Sequence, residues 1–453
     1  MNTFLEDISL FIKQKSKADS SLIRFAYKLE TLDLEALFES LRDSEASLFY
    51  YSKPNEEKSF LGIGKVKSQH TAQIISSAAN GNSSSNNSIV SVNFDPELLN
   101  SIPLVLGSEK FPLKKSESLW NDFEDSNWFI PQILILVNKE QPYLVFQFFG
   151  NNPELSLLES VIRNCSKNEK SQHNCSIKKI VSATDINEWT TAINKALLEI
   201  SSQSIQKVVL ARRIQLALND NFNFSKALST LNKKYPECIT FAYKEKSSVF
   251  FGATPEKLFS IQKNKMETEA LAGSIARGIN QEEDFEKQIQ LQSNQKDINE
   301  HNNVLSFLLS NLVDYCEAFN YDKPPQIKKL SNIQHLQTKI SSTLKDGIDV
   351  LELLKRLHPT PAVCGLPQKK ALELIKELEY FDRGLYSGVI GWYNEKGESE
   401  FSVGIRSALL KDNTLSAYAG CGIVEGSNPA LEFQETELKF KPILSLLENE
   451  ITN

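Results

Sequence analysis

Cysteine is scarce in this chain: six residues in 453, none spaced as CxxC. That excludes a disulfide framework, and a long chain with so few thiols is expected to keep them reduced, in the cytoplasm. Cys165, His173 and Cys175 lie close together, but no second half-site follows, so zinc is not expected. No run approaches the roughly 18 apolar residues that a membrane-spanning helix needs. The opening "MNTFLEDISLFIKQKSK" places acids inside its apolar stretch and lacks a small-residue cleavage pattern, so it does not read as a secretory signal. Strong charge of one sign is missing too. Fifty basic residues face 57 acidic ones, a net charge of −7, with no long basic run. Nucleic acid and membrane are therefore not expected as partners, while a few placed cations still suffice to select a small anionic substrate.

What is present is an ordinary globular composition, 41% hydrophobic and 24% charged, with ample apolar content for a large core. A polar low-complexity stretch, "NGNSSSNNS" (80–88), interrupts the amino-terminal part. After it, "SIVSVNFDP" and "FIPQILILVNKEQPYLVFQFF" read as strands, the second as a pair joined by a polar turn. "RNCSKNEKSQHNCS" reads as a linker. Beyond it, "DINEWTTAINKALLEI" combines an Asp cap with helical spacing. There follow a strand over 207–215, a helix over 224–234, strands "CITFAY" and "SVFFGA", and a long helix over about 281–318. "SGVIGWYNEKGESEFSVGIRSALL" reads as a hairpin, then come strand "LSAYAGCGIV" and a final helix over about 429–448. The pattern predicts an α+β fold of large, mostly antiparallel sheets covered by helices. A strand-rich amino-terminal region, 1–184, is expected to pack on a carboxy-terminal body, 185–453.

Several positions in that body do not suit a plain core or surface. In "SIQKVVLARR" (204–213), strand alternation puts Lys207 on the face of Val209 and Ala211, with Val208, Leu210 and Arg212 opposite. Such a lysine is either a gatekeeper that snorkels to water or a buried amine that something uses. In "QKDINEHNNV", Asp297 and Glu300 share a helical face that Val304 and Leu308 continue. In "ALEFQETELKF", Glu432, Glu435 and Lys439 share another. Either group alone suits a solvated helix face; together, two helices with two carboxylates each offer hard oxygen ligands for a divalent cation. Glu256, after the Thr-Pro turn of "FGATPEKLFS", is a turn acid or a functional carboxyl. "TEALAGSIARG" is rich in small residues, and Gly273 there suits packing or close approach of backbone N–H groups to a ligand. "FSVGIRSALL" is expected to hold Arg406 inside a hairpin strand, on the face of Ser402, Gly404 and Ala408, with room for a carboxylate. Gly420 and Gly422 in "AYAGCGIVEGS" form a candidate anion cradle. His358, in "HPTPAVCGLP", reads as a capping or packing histidine.

The ordered blocks "KVVLAR", "TPEKL", "EALAGS", "DINEH", "HPTPAVCG", "DRGLYSGVIGW", "GIRSA", "AGCGIVEGS" and "EFQETELK" resemble the chorismate-utilising enzymes. That family includes anthranilate, aminodeoxychorismate, isochorismate and salicylate synthases. The resemblance covers about 185–445 and reaches weakly into "SLWNDFEDSNWFIPQILIL". It implies the chorismate-binding fold, with 185–453 as the catalytic domain. Lysine at 207, where anthranilate synthases carry glutamine, and the lack of a nucleophilic lysine within Glu269–Ser274 imply the water-adding branch. Ala362 is similar to isochorismate synthases and Tyr386 to salicylate synthases; Ala362 is given more weight. The implied activity is Mg²⁺-dependent isomerisation of chorismate to isochorismate, with salicylate synthase as the alternative. Menaquinone, phylloquinone, siderophore or salicylate synthesis would consume the product.

By the same resemblance, Lys207 is the general base and Glu256 the general acid. Burial favours a neutral amine and a protonated carboxyl, which gives two groups of opposite readiness at neutral pH. Mg²⁺ falls to Glu300 and Glu435, with Asp297 and Glu432 supporting through water. Arg406, Tyr386, Lys439 and the Gly420 backbone would grip the enolpyruvyl carboxylate. His335, in "NIQHL", would lie beside the ring, Gly273 and Ser274 are substrate-binding candidates, and Leu271 and Ala362 would shape the floor. A monomer acting on chorismate is expected.

Overall fold

The computed structural model describes residues 6, 8, 21–80, 89–94, 102–113, 118–139, 141–149, 153–165, 175–219 and 221–447. The low-complexity residues 81–88, linker residues 166–174 and most of the opening segment lie outside the described residues. The amino-terminal strands are β1 (Leu22–Lys28), β2 (Leu48–Lys53), β3 (Lys58–Ile63), β4 (Ile89–Val92), β5 (Val105–Glu109), β6 (Ser126–Phe129), β7 (Ile133–Asn138) and β8 (Gln141–Phe149). Helices α1 (Leu34–Leu41), α2 (Thr71–Ala79) and α3 (Ser156–Cys165) lie among and after them. Next come β9 (Ile177–Ala183), α4 (Ile186–Ser201), β10 (Lys207–Leu218), α5 (Phe224–Lys234), β11 (Ile239–Glu245), β12 (Ser248–Thr254), β13 (Lys257–Gln262) and β14 (Lys265–Ala276). Two helices, α6 (Gln281–Ser293) and α7 (Gln295–Leu312), precede β15 (Cys316–Tyr321), β16 (Gln326–Lys329) and β17 (Ile333–Leu344). The chain closes with α8 (Val350–Leu357), β18 (Gly365–Leu366), α9 (Gln368–Leu378), β19 (Val389–Tyr393), β20 (Ser399–Val403), β21 (Ser407–Lys411), β22 (Thr414–Ile423) and α10 (Pro429–Leu444).

Among the described residues these strands make a 13-stranded and a 9-stranded sheet. The larger runs β18-β10-β22-β21-β12-β11-β2-β3-β7-β8-β1-β4, with β9 also on β10; the smaller runs β15-β17-β14-β13-β20-β19-β5-β6, with β16 on β17. The β1–β4 pairing is parallel and the other pairings are antiparallel. The fold is thus α+β with large, mainly antiparallel sheets. Amino-terminal strands continue both sheets, through β2 on β11 and β5 on β19.

Aromatic side chains from both sheets fill the space between them, including Tyr51, Phe60, Phe241 and Tyr418 from one and Phe129 and Trp392 from the other. Helices cover the outer faces. Val304 and Leu308 of α7 and Leu353 and Leu357 of α8 pack on the smaller sheet, and α4 and α9 cover Val208, Leu210 and Ile423 of β10 and β22. Local chemistry places the ends: Asp185 closes a capping box on α4, accepting from Asn187 N at 2.7 Å and Glu188 N at 2.9 Å. Among the described residues no helix is long and apolar enough to cross a membrane.

Two expectations need correction. The helix expected over 281–318 is two helices broken at Asn294, and Cys316 already begins a strand. Asn294 leaves the helical region (ψ 113) and caps α7, its side chain accepting from Lys296 N at 2.9 Å, an exchange of one helical bond for a capping bond that asparagine favours. The expected hairpin pairs only as far as β19 and β20. The next strand, β21, belongs to the other sheet, beside β12 and β22. Arg406 therefore does not sit inside a strand; it makes the crossing between sheets, at φ 51.

Trp120 shows how tightly the layers fit. Its indole donates to Asp382 O at 3.1 Å and lies where a Cβ on Gly384 would come within 2.0 Å. Replacing Trp120 with alanine should cost about 3–5 kcal/mol, read as a lower urea midpoint at unchanged slope.

Candidate active site

An open cavity, about 680 Å³ with the solvent at its mouth included, lies where β10, β14, β17 and β22 meet α7 and α10. Glu256, Leu271, Gly273, Ser274, Glu300, His335, Ala362, Tyr386, Arg406, Gly420, Glu435 and Lys439 line it. The other three candidates sit against lining residues from behind. Lys207 touches Glu300, Asp297 lies under Gly273, and the Glu432 carbonyl lies 3.7 Å from Cys421 Sγ. The face expected to carry Lys207 and Val209 does point to this side of β10.

Lys207 is buried, its side chain 1% exposed, and its Nζ lies 2.7 Å from Glu300 Oε1. The pair fits because β22 passes without a side chain: a Cβ on Gly422 would stand 2.5 Å from Glu300 Oε1 and 2.7 Å from Lys207 Cε. Burial alone would push the Glu300 carboxyl up, but Lys207, Lys439 and Lys296 hold it below its ordinary value. Lys439 pairs with Glu435 at 2.6 Å and donates to Gly420 O at 2.9 Å. Lys296, not foreseen from sequence, pairs with Glu432 at 2.7 Å. Gly273, at φ +75, marks a bulge in β14 that brings the strand onto Asp297. Burial first, then the Glu300 charge, push Asp297 up to about 6, with Glu435 and Glu432 adding to the effect and Lys296 opposing it.

Among the described residues no group of three His, Cys, Asp or Glu side chains converges as a metal-ligand set, and lysines hold three of the four helix acids. The donor chemistry nevertheless fits a hard divalent cation. Oxygen donors are what Mg²⁺ takes, and beyond burial the charges of Glu300, Glu435 and Glu432 all reach Asp297.

The turn carrying Glu256 is held from three sides. Thr254 Oγ1 donates to Val403 O at 2.7 Å, Glu256 N donates to Thr254 Oγ1 at 3.2 Å, and Val403 N donates to Glu256 O at 3.0 Å. Burial, then repulsion from Glu269, push the Glu256 carboxyl up to about 7 against the pull of Lys207, Lys328 and Lys439. Across the cavity, His335 Nδ1 lies 2.9 Å from Ser274 Oγ and 3.2 Å from Gly273 O. Its Nε2 is buried without a partner. Burial, then the Arg406 and Lys439 charges, hold this imidazole well below its ordinary pKa, hence neutral.

Arg406 is buried, and no carboxylate is ion-paired with it among the described residues. Tyr386 stacks on Tyr418 at 5.1 Å. Arg383, quoted within "DRGLYSG" but given no role from sequence, joins these walls. It donates to Val363 O and Val209 O, each at 2.8 Å, and through Nε to Glu379 at 2.9 Å. A glutamate and an arginine four apart among apolar neighbours was the available signal. His358 is a packing residue, its Nε2 2.8 Å from Ser387 O.

A protein-family model described as chorismate binding enzyme matches residues 5–448. The chain is 30% identical over 451 residues to the isochorismate synthase MenF of Bacillus subtilis, covering 97% of this chain and 96% of that one. It is 31% identical over 354 residues to the salicylate biosynthesis isochorismate synthase of Pseudomonas aeruginosa, covering 76% and 74%. A solved structure, the menaquinone-specific isochorismate synthase of Escherichia coli, superimposes with a TM-score of 0.78 at 24% identity over 99% of each chain; that likeness is one of fold.

The Gly422 contact makes a prediction. Alanine at 422 should force Lys207 and Glu300 apart and cost about 1–3 kcal/mol, read by equilibrium denaturation. In a Lys207→Ala, Glu300→Ala background the same change should cost little.

Proposed function

The chain belongs to the chorismate-binding enzyme family, and on that premise we propose that it is an isochorismate synthase. In this reading residues 185–453 form the catalytic domain, which adds water at C2 of chorismate and expels the C4 hydroxyl. The observation that carries the reading is a buried carboxyl, Glu256, pushed up to about 7 in the same enclosure as the Lys207–Glu300 pair. The reaction needs one group that takes a proton and one that gives it.

Lys207 is the base. Glu300 orients its free amine, and Nζ takes a proton from the attacking water. Glu256 is the acid and passes its proton to the departing C4 oxygen. Arg406, Lys439 and the Tyr386 hydroxyl receive the enolpyruvyl carboxylate, beside the Gly420 backbone. His335, kept neutral, offers its unpartnered Nε2 to the ring, with Ser274 and Gly273 fixing the opposite nitrogen. Leu271 and Ala362 form the floor. Mg²⁺, held by Glu300 and Glu435 with Asp297 and Glu432 in support, would supply positive charge to the ring carboxylate.

Incubation with chorismate and Mg²⁺, followed by chromatography, should yield isochorismate, and a chelator should stop it. Salicylate with pyruvate as the products would assign the salicylate synthase activity instead. Glu256→Gln should lower kcat by about 10²–10⁴-fold. Because the acid must be protonated, kcat/KM should fall as pH rises through about 7. Lys207→Ala should abolish turnover with little loss of chorismate binding, and an unchanged kcat would refute its role.

A further inference from the structure

Beside the cavity lies a second, half-buried pair whose own side chains do not line it. Lys328, on β16, places Nζ 2.7 Å from Glu269 Oε1 and 2.7 Å from the carbonyl of Pro255, the residue before Glu256. Gln337 Nε2 donates to the other oxygen of Glu269. The Glu269 side chain is 7% exposed and that of Lys328 19%. Strand register explains the meeting. Leu271 stands opposite Gln337, and His335 opposite both Ser274 and Lys328. Residues two apart share a face, so Glu269 continues the face of Leu271 and Gln337 that of His335. The pair is a lateral extension of the cavity wall, anchored to the turn that carries the acid.

We propose that the Glu269–Lys328 pair is a positioning device for Glu256: its cation ties down the turn that aims the carboxyl, and its anion sets the pH range over which that carboxyl keeps its proton. The proposal rests on the reading of Glu256 as general acid. The other titratable and charged groups of this cavity are Lys207 from β10, Glu300 from α7, Glu435 and Lys439 from α10, His335 from β17 and Arg406 from the crossing between sheets, with Glu300 paired to Lys207 and Glu435 to Lys439. The lysines favour loss of the proton and His335 is neutral. Glu269 is the anion that opposes them. Without it, Glu256 would lose the repulsion that offsets those lysines.

The two members of the pair act with opposite sign, so their variants separate electrostatic control from simple loss of packing. The pH dependence of kcat/KM for chorismate is measured for the parent, Glu269→Gln and Lys328→Met. The alkaline limb should move to lower pH in Glu269→Gln and to higher pH in Lys328→Met, each by roughly one unit. A role in folding alone would lower activity at every pH and leave the limb in place. A limb that moves the same way in both variants overturns the proposal; one that stays put in both is decided by a titration that needs no turnover.

Infrared titration of the substrate-free variants, with Glu256→Gln identifying the Glu256 carbonyl band, reads the same shift without turnover. Opposite shifts of that band, with no matching movement of the rate profile, would sink the general-acid reading and sustain the control of Glu256 by the pair. An unshifted band would overturn the proposal itself.

Discussion

The buried contact between Lys207 and Glu300 joins a strand of the larger sheet to a helix packed on the smaller one. Neither charge has a cheap alternative. Leaving one partner buried alone costs about 3–5 kcal/mol, whereas a surface pair is worth roughly one or less. The chain must therefore bring β10, β22 and α7 together closely, and its small residues fall where that demand is greatest. Gly422 lets β22 pass beneath the pair, and Gly273 lets β14 bulge onto the neighbouring Asp297.

Around this contact the acids divide into two groups. The helix acids Glu300, Glu432 and Glu435 each meet a lysine. Glu256, in the same cavity, has no ion-paired cation among the described residues, and burial with an anionic neighbour raises it. One cavity thus separates carboxylates suited to hold positive charge from a carboxyl suited to hold a proton. Similar side chains take different roles because their surroundings differ.

Much of this could be read in the sequence, and the unread parts share a cause. Strand alternation placed Lys207 and Val209 on the cavity side of β10, and helical spacing paired Asp297 with Glu300 and Glu432 with Glu435. These are short-range rules within one element. Lys296 with Glu432 and Lys328 with Glu269 join distant elements, and no periodicity announces them. Arg406 was misplaced because an apolar run with period two does not show where a strand changes sheets; the crossing at φ 51 rests on the surrounding packing. The break at Asn294 was written in the sequence as a capping residue within a helical pattern, and the continuing pattern masked it.

The order of β10's neighbours has a consequence for a chain still on the ribosome. Over its first residues β10 lies between β18 and β22, both encoded far downstream. Until they emerge, a strand reading VVLA has open edges, and open apolar edges recruit other chains into aggregates. Lys207, Arg212 and Arg213 flank that run, and charges at its ends discourage such association. The lysine that is costly to enclose in the finished enzyme thus also stands as a charge at the end of an apolar run whose partners are made last.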